Sequence, residues 1–203
     1  MPENVIVKPA VQQKFDQFIQ CGRVLFFSAP CGFGKSALAD TLLAGQEVLR
    51  LRAGTPGFPP VIPREGWDVL LIDDAQLARE EAWWTALCGL IRSRTDRRFV
   101  FLSRGAPPGC LRAFQYAGLM TVLEADDLFF DREDTRRLMK LYQVEVTDSE
   151  IAAILKESIG YPLGVVITAQ CMAGGRPFGP ALVARAFREV FSYFEAAIYR
   201  RFD

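Results

Sequence analysis

Eight consecutive residues, Ala29-Pro30-Cys31-Gly32-Phe33-Gly34-Lys35-Ser36, set two glycines ahead of an ammonium and a hydroxyl. Glycines at that spacing let backbone N–H groups turn inward around phosphate oxygens. A helix opening at the lysine adds the partial positive charge of its N-terminus. Lys35 is then placed to reach β- and γ-phosphates, and the Ser36 hydroxyl to ligate Mg²⁺. The run is a phosphate-binding loop pattern with alanine in place of the first glycine.

A second cluster lies at Asp68-Val69-Leu70-Leu71-Ile72-Asp73-Asp74. An apolar run ending in two carboxylates reads as a buried parallel strand that delivers acids to its C-terminal edge. Asp73 is the candidate Mg²⁺ partner, acting through water, and Asp74 the candidate for orienting an attacking water. The ordinary alternative is that one of the two caps the next helix, a role aspartate favours. Ser103 and Arg104 follow another apolar run, Phe99-Val100-Phe101-Leu102. They fall at a strand's C-terminal edge, where ligands bind in such sheets, and are candidates to contact a γ-phosphate directly or through water. Solvation of a strand end is the alternative for both.

These groups need a scaffold. Val24-Leu25-Phe26-Phe27 feeds the loop as a first strand, and Ala37–Leu43 follows it as a helix that stops at Gly45. Val11, Phe15, Phe18 and Ile19 share one face of an earlier helix ended by Gly22. Glu47–Leu51 predicts a short second strand, Val69–Asp73 a third, Arg98–Ser103 a fourth and Met120–Glu124 a fifth. Residues 53–66 hold four prolines and three glycines, too many for helix or strand. Ala78–Arg94 predicts an amphipathic helix whose Trp83 and Trp84 are read as core. A short helix is expected from Pro107-Pro108 to Gly118.

Strands alternating with helices predict an α/β fold with a doubly wound, parallel, five-stranded sheet over residues 1–127. Residues 128–203 read as a small all-helical bundle. Asp131 caps its first helix, Thr147-Asp148-Ser149-Glu150 is a capping box for the second, and Pro162 opens a third that closes at Gly174-Gly175. A last helix is expected over 178–203, with Phe187, Val190, Phe191, Phe194 and Ile198 on one face.

Composition removes other chemistries. The chain has 203 residues, 24 Lys plus Arg against 24 Asp plus Glu, and no histidine. Neutral charge gives no electrostatic footprint for nucleic acid. Without histidine there is no His general base and no His-ligated metal. The five cysteines form no CxxC pair, which leaves zinc and redox motifs unsupported and suggests reduced thiols in a cytoplasmic setting. No signal peptide and no uninterrupted apolar span is found, so no membrane contact is expected.

Ser28–Ser36, Leu71–Ala75, Leu102–Pro108 and Gly160-Tyr161-Pro162 occur in an order that resembles the MalT-like, LuxR-family signal-transduction ATPases of the STAND class, P-loop NTPases with an AAA+-like (ASCE) sheet. Gly118–Leu128 also looks like that family's stretch after its arginine motif, and the resemblance runs from about Phe15 to Arg200. It implies that the loop 29–36 binds ATP or ADP, that Ser36 and Asp73 hold Mg²⁺, and that Arg104 senses the γ-phosphate. It implies that Pro162 packs against adenine. It further implies a nucleotide-gated switch, self-association of the full-length protein in the ATP state, and DNA contact only through a C-terminal domain outside this sequence. Hydrolysis is expected to be slow because no second arginine is placed as an in-cis finger. Two departures accompany it: the segment between the first two motifs is short and Pro/Gly-rich, and the chain stops at Asp203 inside an apolar-faced helix. The expectation is therefore a fragment of a longer regulator. Two other readings stay open. One is a small-molecule kinase, although no lid-like Arg-rich segment is found. The other is a degenerate interaction domain that binds no nucleotide.

Overall fold

The computed structural model describes residues 5–58 and 60–179, together with 181, 182, 185, 186, 188–190 and 192. The chain falls into two compact units. The first comprises Met1, Pro9–Pro30 and Lys35–Asp127, and the second Pro2–Lys8, Cys31–Gly34 and Leu128–Asp203.

The first unit is built on five parallel strands: β1 (Val24–Ser28), β2 (Val48–Arg52), β3 (Val69–Asp73), β4 (Arg98–Ser103) and β5 (Met120–Glu124). Their order across the sheet is β2-β3-β4-β1-β5. The strands are short runs of branched and aromatic residues, and those of β1, β3 and β4 are buried almost throughout. Such uninterrupted apolar runs fit strands covered on both faces. On one face Val24, Phe26, Leu70, Ile72, Phe99 and Phe101 pack with Trp84, Leu87, Cys88 and Ile91 of helix α3 (Glu81–Ser93). Their alternate neighbours Leu25, Phe27, Leu71, Val100 and Leu102 are buried on the other face. Helix α1 (Pro9–Cys21) lies along β1 and β5 and buries Val11, Phe15 and Phe18. Helix α2 (Lys35–Leu42) opens on the lysine of the loop. Helix α4 (Arg112–Tyr116) precedes β5, and one turn, α5 (Ala125–Leu128), follows it.

This is the parallel five-stranded α/β architecture expected. Two details differ. The long helix starts at Glu81 rather than Ala78, behind a 3₁₀ turn at Ala75–Leu77. The cause is local: Asp74 takes a left-handed conformation (φ 52°, ψ 37°) that prevents β3 from running straight into a helix. The helix expected after Pro107-Pro108 likewise begins as a 3₁₀ turn, Gly109–Leu111.

The Pro/Gly-rich segment is without regular structure but anchored. Ala53 is buried, Phe58 and Ile62 pack on the core, and Trp67 Nε1 donates to the Pro63 carbonyl at 2.8 Å. Trp83 stacks edge-on against Phe58, with centroids 4.9 Å apart.

The second unit carries α6 (Arg132–Leu141), α7 (Asp148–Ser158) and α8 (Pro162–Ala173). Leu138, Met139, Ile154, Val165 and Ala169 form its core with Ile6. Reciprocal capping boxes start α6 (Asp131 with Asp134) and α7 (Thr147 with Glu150). Pro162 takes the first position of α8, where the missing N–H has no partner to lose. Of the final helix, Val190 is described and buried, whereas Phe187, Phe191, Phe194 and Ile198 lie outside the described residues. Among the described residues no helix is long and apolar enough to cross a membrane.

Candidate functional site

The loop after β1 is fastened to β4 at its start. Ala29 N donates to the Ser103 carbonyl at 3.2 Å, and Ser28 Oγ to the Gly105 carbonyl at 3.2 Å. The loop then turns on Gly32 (φ 80°) and Gly34 (φ 71°), a backbone region in which a side chain is strained. The space where a Cβ on Gly34 would stand holds no atom within 4 Å. Lys35 Nζ donates to the carbonyls of Ala29 (2.6 Å) and Pro30 (2.8 Å), so the ammonium curls over its own loop.

At the second residue of α2, Ser36 Oγ stands 3.3 Å from Asp73 Oδ2. The other carboxylate oxygen, Asp73 Oδ1, accepts from Asp74 N at 2.8 Å. The left-handed turn at Asp74 thereby aims its amide at the preceding side chain and holds Oδ2 toward the serine. Hydroxyl and carboxylate oxygens are hard donors that suit Mg²⁺, which binds through one or two carboxylates plus substrate phosphates and waters. The two donors fit such an ion.

Asp74 faces elsewhere. Its carboxylate is buried and receives both Nε and Nη2 of Arg52 on Oδ2, each at 3.0 Å. Oδ1 accepts from Gln76 Nε2 at 3.1 Å and stands 3.6 Å from Arg104 Nη2. The Gln76 side chain turns back to accept from Arg104 N at 3.0 Å. Ser103 is buried, and its Oγ accepts from Gly105 N at 3.1 Å, which fixes the exit of β4.

Within the second unit, Cys31–Gly34 meet the start of α8. Tyr161 Oη donates to the Cys31 carbonyl at 2.7 Å and Leu163 N to the Gly32 carbonyl at 3.2 Å. Phe33 lies edge-on to Phe129 and to Tyr161, at centroid distances of 5.0 and 5.3 Å. Pro162 is buried in the same stretch.

The structure thus brings Ser36 to Asp73, Lys35 to Ala29 and Pro30, and Asp74 to Arg104. Arg52 and Gln76 carry no motif in the sequence, and Tyr161 stands in Gly160-Tyr161-Pro162 with no role assigned to its hydroxyl. Arg52 ends a half-exposed strand as an ordinary charged residue, and Gln76 and Tyr161 sit in turns. Strand order and loop geometry alone reveal them.

No family model matches the chain, and no curated protein matches it. The Walker-type ATPase of Pyrococcus abyssi superposes with a TM-score of 0.65 at 12% identity, over 99% of this chain and 75% of its own. The chain shares the fold of that ATPase. A STAND protein with a tetratricopeptide-repeat sensor, from Pyrococcus horikoshii, superposes with a TM-score of 0.59 at 13% identity, over 91% of this chain. The chain spans 32% of that protein's length.

Proposed function

We propose that this chain is a nucleotide-binding switch module that takes ATP or ADP with Mg²⁺ and hydrolyses ATP slowly. The observation that carries the reading is the Ser36–Asp73 pair, 3.3 Å apart, whose serine follows two left-handed glycines in the chain. In this reading the loop 29–36 and Lys35 hold the phosphate chain, and Ser36 with Asp73 holds the ion. Mg²⁺ would neutralise charge on the β- and γ-phosphates. Ser103 and Arg104 stand beside the γ-phosphate, and Pro162 packs on the base. Residues 1–127 act as the sheet domain and 128–203 as the helical domain.

Slow turnover has a physical basis. A carboxylate held by Arg52 and Gln76, with Arg104 at 3.6 Å, can orient an attacking water only after one of its two hydrogen-bond partners yields. The finer assignment is to a MalT-like, LuxR-family regulator of the STAND class, cytoplasmic, self-associating in the ATP state, with DNA contact made by residues beyond this sequence. Motif order supports it, as does the superposition on a STAND protein.

Thermal unfolding tests the reading, because a ligand that binds only the native state must stabilise it. Saturating ATP or ADP with Mg²⁺ raises the midpoint of the wild type and leaves that of Lys35→Ala unchanged. A wild type indifferent to both nucleotides sinks the proposal.

A further inference from the structure

Three strand ends meet at one buried carboxylate. Arg52 closes β2, Asp74 follows β3 and Arg104 follows β4, and the order β2-β3-β4 sets them side by side. Two guanidinium groups face a single carboxylate, so this cluster carries one positive charge in excess. The two are not held alike. Arg52 places two nitrogens on Oδ2 at 3.0 Å each. Arg104 reaches Oδ1 only at 3.6 Å, outside hydrogen-bond length, on an oxygen that Gln76 already occupies. Arg52 therefore holds the carboxylate, and Arg104 stands near it as a charge whose own donors are not committed to Asp74.

Arg104 also stands next to the phosphate loop, because the residue before it accepts the hydrogen bond from Ala29 N. We propose that Arg52 is a positioning residue. By satisfying Asp74 it keeps Arg104 available to an incoming anion, and so sets the preference of the site for a nucleoside triphosphate over a diphosphate. Without Arg52, the Asp74 side chain, 10% exposed, keeps the Gln76 amide but loses the guanidinium that holds its charge. Arg104 is the cation at hand, and it closes onto both oxygens and withdraws from the ligand. The inference rests on the proposed nucleotide site and adds a residue that the phosphate-loop pattern does not contain.

The experiment compares affinities for a non-hydrolysable ATP analogue and for ADP, each with Mg²⁺, by titration calorimetry. The wild type is expected to favour the triphosphate. In Arg52→Ala that ratio falls about tenfold, the size of one charge-assisted hydrogen bond, with the loss confined to the triphosphate. Arg104→Ala gives a fall of similar size. Arg52→Lys, which keeps the charge but not the paired nitrogens, recovers part of the ratio. The deciding variant is Arg52→Ala with Asp74→Asn, which removes the competing carboxylate and also the buried charge that endangers folding. It recovers the ratio if Arg52 acts through Asp74. A ratio insensitive to Arg52→Ala, a double variant no better than the single one, or a wild type without preference overturns the inference and leaves the nucleotide site standing. A wild type that binds neither nucleotide overturns both.

Discussion

The hydroxyl of Ser36 and the carboxylate of Asp73, 37 residues apart in the chain, face each other at 3.3 Å. The pair forms because β3 and the loop-bearing β1 flank the same strand, β4, in a parallel sheet, so their C-terminal ends lie at one edge. Asp74 N holds one oxygen of Asp73 and leaves the other for the serine.

The Mg²⁺ dependence of nucleotide affinity is the first quantity this pair controls. Asp73→Asn keeps the shape and removes the charge. The gain in ADP affinity on adding Mg²⁺ is expected to shrink about tenfold, the equivalent of about 1.4 kcal/mol. Affinity without metal should change little. Titrations with and without Mg²⁺ measure both.

The two loop glycines should differ in their tolerance of alanine. Both have positive φ, and forcing a side chain into that region costs roughly 1–2 kcal/mol. At Gly34 nothing else stands in the way, whereas a Cβ on Gly32 would meet Tyr161 Oη at 1.7 Å. Gly32→Ala should therefore destabilise by about 2 kcal/mol more than Gly34→Ala, in the range of overpacking. Urea midpoints of the two variants check this, and adding Tyr161→Ala should narrow the gap.

Thiol chemistry should follow exposure. Cys21 is exposed, whereas Cys88 is buried in the sheet core. Burial, aided by the neighbouring Cys110 side chain, pushes the Cys88 thiol up to about 11. The thiolate is the reactive form, so Cys88 stays protonated and inert at neutral pH. Alkylation followed by mass spectrometry should label Cys21 first and Cys88 last.

Acid should loosen the helical unit through its caps. Hydrogen bonds from the backbone amides of Asp134 and Glu133 hold the Asp131 carboxyl below its ordinary 3.8. The amide and hydroxyl of Thr147 hold Glu150 below its ordinary 4.5. Both values are depressed on folding, so their stabilisation is full above the ordinary carboxylate range and is lost as pH falls through the lowered folded values. Asp131→Ala should cost about 1 kcal/mol at neutral pH, and the deficit should fade in acid. Denaturant unfolding followed by circular dichroism at several pH values tests the sign.

Elements whose signal is local were legible in the sequence. Strands β3 and β4 follow from uninterrupted apolar runs, the capping box of α7 from Thr147 and Glu150 three apart, and the start of α6 from Asp131 as its cap. The boundary at Glu81 was not legible. The left-handed aspartate is held by a partner from another strand, Arg52, and no local pattern announces that contact.

By itself the sequence determined the parallel α/β class, the glycine-turned loop and the presence of two acids at a strand end. These depend on periodicity and on φ preferences, which neighbouring residues set. Only the tertiary structure decided which acid meets Ser36 and which meets two arginines. That choice depends on the order in which strands pair, and pairing order is fixed by the burial of whole faces rather than by any residue at the site.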